Sequence, residues 1–362
     1  MEYLSVLGRQ PEISVAELEA LFGDVKEISD RIAIFDTKNE PNIDALGGSL
    51  KIARRLHIKP LEYLANLPDG KITLGVSDYS RNGSRKNAVT EALKIKKILV
   101  RHGRSVRVVE NKEAALSTAT SLHNGLGGKN ERKVELIKVE NDWYRVIGVQ
   151  DIDAYTKRDQ ARPARDAKVG MLPPKLAQIL INLCGPLKFG ITILDPFCGT
   201  GVVLQEAILI GYMAYGTDIS ERMVEYSKKN LKHFGFKNYT VEVGDATSFQ
   251  WKQPIGAVAC EGYLGRPFAK IPTDIELKEQ KQECKAIILG FLKNLMKQVD
   301  ENTPVTIAAP AWLRGDGSYE RLDILDDIDD MGYNVGNKSR EGLFYHRENQ
   351  VVARDILILR KK

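Results

Sequence analysis

The stretch Ile191-Thr-Ile-Leu-Asp195-Pro-Phe-Cys-Gly199-Thr-Gly201 decides how the C-terminal half of this chain folds. Four residues, Ile191 to Leu194, predict a buried strand. An acid stands at its end, and a tight turn with two glycines follows. The apolar run Val202 to Ile210 then predicts a helix. Strand, acidic tip, glycine turn and helix make a nucleotide-type cofactor site, because ligands of α/β sheets sit beyond the carboxyl ends of the strands, at the first crossover. Glycine lets the backbone approach a ligand that a side chain would block. The spacing matches neither the Walker loop nor the six-residue dinucleotide fingerprint. No lysine follows to hold a phosphate. Asp195 favours a ligand with a positive or hydrogen-donating group.

Downstream, predicted strands at 191–195, 213–218, 240–244, 255–260, 305–309, 333–337 or 343–347, and 351–359 alternate with predicted helices at 202–210, 220–233, 275–299 and 319–331. Such alternation gives an α/β fold with a doubly wound, mostly parallel seven-stranded sheet covered on both faces. The last segments lie close together and predict a terminal hairpin, hence one antiparallel strand at the sheet end.

Two more acids end strands. Asp218 stands 23 residues after Asp195, where a carboxylate accepts from both hydroxyls of a ribose. Asp245 follows in Gly244-Asp245-Ala246, where an acid accepts from an adenine amine and alanine leaves room for the ring. A single acid at a strand end is ordinary turn and cap chemistry. Three in register with a glycine turn suit a nucleoside carrying a sulfonium and an amino-acid tail, S-adenosyl-L-methionine. The candidate cofactor residues are Asp195, Phe197, Cys198, Gly199, Gly201, Asp218, Ile219, Asp245 and Ala246.

The N-terminal half reads as α+β. Residues 1–55 form one small unit: a strand at Tyr3–Leu7, a helix capped by Ser14 with Glu17 completing a capping box, and a strand from Arg31 to Asp36. Residues 56–150 form a second, with a strand at Lys71–Val76 and a helix from Lys86 to His102. On that helix Ala88, Ala92, Ile95 and Leu99 share one side and Lys86, Lys94, Lys97 and Arg101 the other. Arg104 and Arg107 follow. From Arg81 to Glu110 there are nine Lys or Arg against two acids, which fits a solvated face or a surface for a phosphate backbone. A helix near 116–125 and strands at 134–139 and 143–149 complete this unit. Residues 151–168 are polar, and Arg162-Pro163 disfavours helix, so they read as a linker ahead of a domain at 169–362.

The length of 362 residues accommodates two or three domains, and 43% hydrophobic residues supply their cores. Cys184, Cys198, Cys260 and Cys284 are too scattered for a disulfide framework or zinc ribbon, which points to a reducing compartment. The five histidines show no metal-ligand spacing, so no metal is expected. With no secretory signal and no membrane-length apolar run, a cytoplasmic location and no membrane partner are expected.

The motifs Asp195-Pro-Phe-Cys-Gly-Thr-Gly201, Gly216-Thr-Asp218-Ile219 and Gly244-Asp245-Ala246 resemble those of class I methyltransferases. Arg158-Asp159, Arg162-Pro-Ala-Arg-Asp166, Gly170-Met-Leu-Pro-Pro-Lys-Leu-Ala-Gln-Ile-Leu180 and Tyr345-His-Arg-Glu-Asn-Gln-Val-Val-Ala-Arg354 resemble, more narrowly, the archaeal-type tRNA guanine-N2 methyltransferases. Leu4–Ser14 and the block 74–150 are similar to the N-terminal half of that family. The resemblance implies an RNA-binding THUMP domain, tRNA as partner, and methyl transfer to N2 of a guanosine. The family's fourth strand ends in Asp-Pro-Pro-Tyr; here the stretch is Cys260-Glu-Gly-Tyr-Leu-Gly-Arg-Pro-Phe268. Glu261 stands for the carboxylate that holds the amine, and Tyr263 or Phe268 for the ring that stacks on a flipped base. Two alternatives stay open: a non-catalytic RNA-binding protein on this scaffold, and an adenine-N6 nucleic-acid methyltransferase.

Overall fold

The computed structural model describes residues 1–165, 172–348 and 350–362. Asp166, Gly170 and Met171 of the motifs above, the expected boundary at 168/169, and Asn349 lie outside the described residues. The chain divides into two compact units, Met1–Tyr155 and Thr156–Lys362.

The N-terminal unit contains β1 (Glu2–Leu7), α1 (Pro11–Phe22), β2 (Val25–Ser29), β3 (Ile32–Asp36), β4 (Ser49–Arg55), α2 (Pro60–Ala65), β5 (Ile72–Asp78), α3 (Arg85–Arg101), β6 (Val106–Val108), α4 (Thr118–His123), β7 (Lys133–Val139) and β8 (Asp142–Val149). The two expected pieces share one eight-stranded sheet, in the order β2-β3-β1-β4-β8-β7-β5-β6. The seam is β4, which pairs antiparallel with both β1 and β8. α3 buries Ala88, Ala92, Ile95 and Leu99 against Ile72, Leu74 and Val76. The expected capping box at Ser14 is absent. α1 starts earlier, at Pro11, so Ser14 lies inside it and donates back to the Gln10 carbonyl. Glu17 instead accepts the N–H groups of Gly47 and Gly48 at 2.9 and 2.8 Å, pinning the turn into β4.

A polar network ties this sheet together from within. Lys51 on β4 meets Glu135 on β7 at 2.6 Å, with side chains 1% and 0% exposed. Ser77 and Ser121 also donate to Glu135, and Lys51 donates to the Leu116 carbonyl.

α5 (Ile152–Gln160) runs across the division between units, where a linker was expected, and stops before Arg162-Pro163. The C-terminal unit then contains α6 (Pro174–Asn182), β9 (Thr192–Asp195), α7 (Val202–Ile210), β10 (Met213–Asp218), α8 (Glu221–His233), β11 (Tyr239–Val243), β12 (Ala257–Glu261), α9 (Asp274–Leu295), β13 (Pro304–Leu313), β14 (Tyr319–Arg321), α10 (Leu325–Met331), β15 (Tyr333–Val335), α11 (Asn337–Glu341), β16 (Phe344–Tyr345) and β17 (Val352–Lys361). The main sheet path is β11-β10-β9-β12-β13-β17-β15, with β14 on β13 and β16 on β17. Strands β11 to β13 pair in parallel, and β17 is antiparallel to both its neighbours. The antiparallel strand therefore lies inside the sheet, not at its end.

The helix expected at 319–331 splits. Gly317 has φ +87°, and the Arg314 N–H donates to Ser318, so the chain turns back and β14 pairs with β13. Only the later part is helical, as α10.

Alternation along the strands sorts their side chains onto two faces. Leu194, Tyr215, Val258, Cys260, Ile307 and Leu357 join Ile288, Phe291 and Leu292 of α9 in one core. Asp195 pairs with Gly216, so Asp218, two residues on, lies on its side of the sheet, opposite α9. Leu194 pairs with Val258, which puts Glu261 on that side too.

Lys51→Met leaves the Glu135 carboxylate buried without its cation and is expected to destabilise the N-terminal unit by about 3–5 kcal/mol. Replacing both Lys51 and Glu135 with apolar residues recovers part of the loss. Urea titration of the three variants against the parent measures both effects.

Candidate cofactor and acceptor site

The glycine turn works by backbone geometry. Gly199 and Gly201 have φ +48° and +84°, the left-handed region that disfavours other residues. A Cβ on Gly201 would meet Ser227 Oγ at 2.8 Å. A Cβ on Gly199 would meet nothing closer than 3.9 Å, so that side of the turn is open for a ligand. The next strand is kept bare for the same loop: a Cβ on Gly216 would sit 2.5 Å from Leu204 and 3.0 Å from Cys198.

Three carboxylates meet around this turn. Asp195 is 2% exposed, and one oxygen accepts the Phe197 N–H at 3.1 Å. Burial pushes its carboxyl well above the usual carboxylate range, and the charges of Asp218 and Glu261 push the same way. Asp218 accepts the Gly199 N–H on one oxygen and the Ser220 N–H on the other, both at 2.9 Å. That fixes the carboxylate plane and leaves each oxygen a lone pair for a ligand. Asp245 is exposed, with Thr247 N–H and hydroxyl on one oxygen. Ile219, 74% exposed, stands next to Asp218, an apolar surface on which a base can lie. Ala246 is buried, its carbonyl held by Asn294. Phe197 packs edge-on against Phe291, with centroids 5.4 Å apart. Open turn, ribose-type acceptor and apolar shelf fit the adenosyl and amino-acid groups of S-adenosylmethionine.

Cys198 is buried, and burial raises its thiol well above the ordinary range. Cys260 behaves likewise, and Cys184 and Cys284 are pushed up to about 11 and about 12. None is poised as a thiolate nucleophile.

The residues expected at the acceptor side, Glu261, Tyr263 and Phe268, stand at and after the tip of β12. Glu261 is bound by Arg354 of β17, Nε to Oε1, at 2.7 Å. Gly262 donates its N–H to the Ala308 carbonyl at 2.9 Å, carrying the pairing with β13 one residue further. Tyr263 is half-buried against the α9 core, and its hydroxyl donates to Glu283 at 2.9 Å. Burial first, then that bond, raises the phenol to about 12. Phe268 lies under Arg266, 5.2 Å from guanidinium to ring centroid.

Several residues here were not singled out as site residues from sequence. Arg162, nearly fully buried, reaches Thr200 of the glycine turn at 3.4 Å and Asp159 at 3.0 Å. Arg158 donates to the buried Glu206 of α7 at 2.9 Å. Asn230 joins both carbonyls, of Ala164 and Thr200, at 3.0 and 2.9 Å. The segment before residue 166 thus braces the turn. Arg158, Arg162 and Arg354 fall in the motifs that carry the resemblance, but no spacing assigned them partners, and Ser227, Asn230 and Asn294 carried no signal.

In the N-terminal unit, Lys86, Lys94, Lys97 and Arg101 are exposed on the face of α3 opposite its buried residues. Arg107 is exposed on β6 and donates to Asn124. Arg104 departs from the expected row. Its side chain is 15% exposed and its guanidinium is taken up by Asp69 and the carbonyls of Leu67 and Pro68, so it fastens a loop of the fold.

Residues 187–299 match the family model described as a methyltransferase domain. The chain is 29% identical over 282 residues to the tRNA (guanine(10)-N2)-dimethyltransferase of Pyrococcus abyssi, spanning 76% of this chain and 77% of that protein. It is 33% identical over 157 residues to the protein of that name from Methanothermobacter thermautotrophicus, spanning 43% of this chain and 44% of the other. The solved structure of TrmN from Thermus thermophilus aligns over the whole of both chains, with 16% identity and a TM-score of 0.48. Among the described residues no helix is long and apolar enough to cross a membrane. The sheet order, the glycine turn and the sequence similarity agree on the C-terminal unit: around residues 187–299 it is an S-adenosylmethionine-dependent methyltransferase domain of the class I type.

Proposed function

We propose that this enzyme methylates the exocyclic amine N2 of a guanosine in tRNA, and that its N-terminal unit is a THUMP-like RNA-binding region. The observation that carries the reading is Glu261, held at the tip of β12 on the same side of the sheet as Asp195 and Asp218. The names of the similar archaeal proteins support tRNA and guanine as the acceptor.

S-adenosylmethionine, when bound, supplies an electrophilic methyl group on a sulfonium. The chain's residues divide the remaining work. Asp218 takes the ribose hydroxyls, with Ile219 and Ala246 flanking the adenine and Asp245 accepting from its amine. Gly199 and Gly201 let the amino-acid tail lie close to the turn, and Asp195 faces its cationic end. An aromatic amine has its lone pair drawn into the ring, so it attacks only when its hydrogens are held and its lone pair is aimed. Glu261 accepts from those hydrogens, and the proton that the amine loses on methylation leaves toward this carboxylate. Tyr263, fixed by Glu283, and Phe268 wall the base pocket. Lys86, Lys94, Lys97, Arg101 and Arg107 offer their charges to the RNA backbone.

Incubating the protein with labelled S-adenosylmethionine and bulk unmodified tRNA is expected to yield N2-methylated guanosine on nucleoside analysis. Methylated adenosine would move the acceptor to N6, and absence of transfer would leave an RNA-binding scaffold. Glu261→Ala is expected to abolish transfer with cofactor affinity unchanged, and Asp218→Ala to weaken cofactor binding by about 1–3 kcal/mol in calorimetry.

The raised carboxyl of Asp195 makes cofactor binding pH-dependent. A cationic partner favours the ionised form, so binding releases a proton and affinity increases as pH rises toward the raised value. In the free protein the protonated folded form is favoured, so this group's contribution to stability declines as pH rises above about 3.9. Calorimetry in two buffers of different ionisation enthalpy reads the proton, and Asp195→Asn removes it.

Neutralising Lys94, Lys97 and Arg101 together is expected to weaken tRNA binding and to flatten its salt dependence, by roughly one unit of log–log slope for each phosphate that no longer meets a cation. Filter binding across a salt series measures it, and an unchanged slope places the RNA on another face.

A further inference from the structure

Glu261 differs from the aspartate of the resembled families by one methylene, and a longer side chain has more ways to miss. Its fixity must come from a partner. β12 pairs with β13 so that Glu261 stands beside Ala308, and β13 pairs with β17 so that Ala308 stands beside Ile356 and Pro310 beside Arg354. Residues opposite one another, and those two apart, share a face. Arg354 therefore lies on the side of Glu261, one strand further away and nearer the carboxyl ends of the parallel strands. Only Ala308 and Pro310 stand between them on that face. Their small side chains let the guanidinium cross above β13 and meet the carboxylate.

We infer that Arg354 is a positioning residue for the acceptor carboxylate: it takes Oε1 of Glu261 and leaves Oε2 directed at the acceptor amine. The inference rests on the role of Glu261 proposed above.

The guanidinium is itself held. Its side chain is 7% exposed, Nη1 donates to Gln350 at 3.3 Å, and its carbon lies 5.8 Å from the ring centroid of Tyr345, its partner in β16. An arginine fixed at three points fixes in turn the rotamer of the acid it binds. The arrangement also answers a charge problem. Glu261 faces the buried Asp195 from β9, and Asp195 faces Asp218 from β10. The β13 residues beside them, Ala308 to Ala311, carry no charge. Arg354 from β17 is the cation that faces Glu261 among the described residues. Its charge offsets that of Glu261 beside the buried Asp195, through the Nε contact.

This geometry sets an unexpected rule for back-substitution. Restoring the family's aspartate with Glu261→Asp shortens the reach by one C–C bond, about 1.5 Å, and breaks the contact with Nε. Methyl transfer should fall, not rise.

The test uses the full chain, with labelled S-adenosylmethionine and tRNA. Arg354→Gln and Glu261→Asp are each expected to lower kcat by about a hundredfold, the cost of a misplacement near 1 Å, with KM for tRNA and cofactor affinity by calorimetry nearly unchanged. Arg354→Lys keeps the charge but not the fork and should recover only part of the rate. A purely structural role would lower cofactor affinity and thermal stability along with the rate, and Arg354→Lys would then restore all three or none. An active parent whose Arg354→Gln variant keeps its kcat overturns this inference alone. A parent inert on every tRNA, with cofactor bound, overturns the proposed function and this inference with it.

Discussion

Crowded negative charge at the carboxyl edge of the C-terminal sheet is the constraint on which the site depends. Strand register brings Asp195, Asp218 and Glu261 to one side of β9, β10 and β12. Carboxylates in such proximity repel, and burial makes the repulsion worse. Each is compensated differently. Asp218 draws two backbone N–H groups from its own turns. Glu261 draws Arg354 from two strands away. Asp195 has the Phe197 N–H as its partner among the described residues, and burial first, then the charges of Asp218 and Glu261, raise its carboxyl. A site with one raised carboxyl among three is prepared for a cation at one place. The sulfonium and ammonium of the cofactor are cations that such a place accommodates.

The departure from Asp-Pro-Pro-Tyr takes a different meaning once the backbone is seen. A proline pair stiffens a loop by fixing φ and removing a donor. Gly262 stiffens it by the opposite means, using the N–H that proline lacks to extend the ladder to Ala308. A side chain there would have its Cβ 3.0 Å from that same carbonyl oxygen and from Ile307. A larger residue at 262 would press on β13, and the rigidity comes from that strand. Glu261 gains from Arg354 what it lacks in shortness.

Much of the C-terminal fold was legible because its signals are local. Asp195 with Gly199 and Gly201, and the apolar run of α7, announce a strand–turn–helix at one sequence address. The acids at 218 and 245 follow at the ends of apolar strands. The basic face of α3 was legible from helical period alone. What stayed hidden depends on pairings between distant residues. Arg354 and Glu261 are 93 residues apart, and Lys51 and Glu135 are 84 apart; no periodicity records such meetings. Arg104 was read as one of a basic row because charge is visible in sequence and its hydrogen-bond partners are not. At Ser14 the local rule for a capping box matched, but the helix began earlier and the glutamate was claimed by the turn at Gly47 and Gly48.

The bracing of the glycine turn by Arg158, Arg162 and Ala164 bears on where this enzyme divides. Composition puts a boundary near residue 169, after a polar stretch that reads as a tether. Yet Arg162 holds Thr200, Asn230 joins Ala164 to Thr200, and Arg158 neutralises the buried Glu206. A fragment starting at 169 would keep every strand of the C-terminal sheet and lose Arg158 and Arg162, leaving the buried Glu206 without its cation. A fragment starting at Thr156 keeps them. Residues 156–165, read from composition as part of a tether, are a brace of the C-terminal unit, and shortening or exchanging them would disturb the glycine turn as surely as a mutation within it.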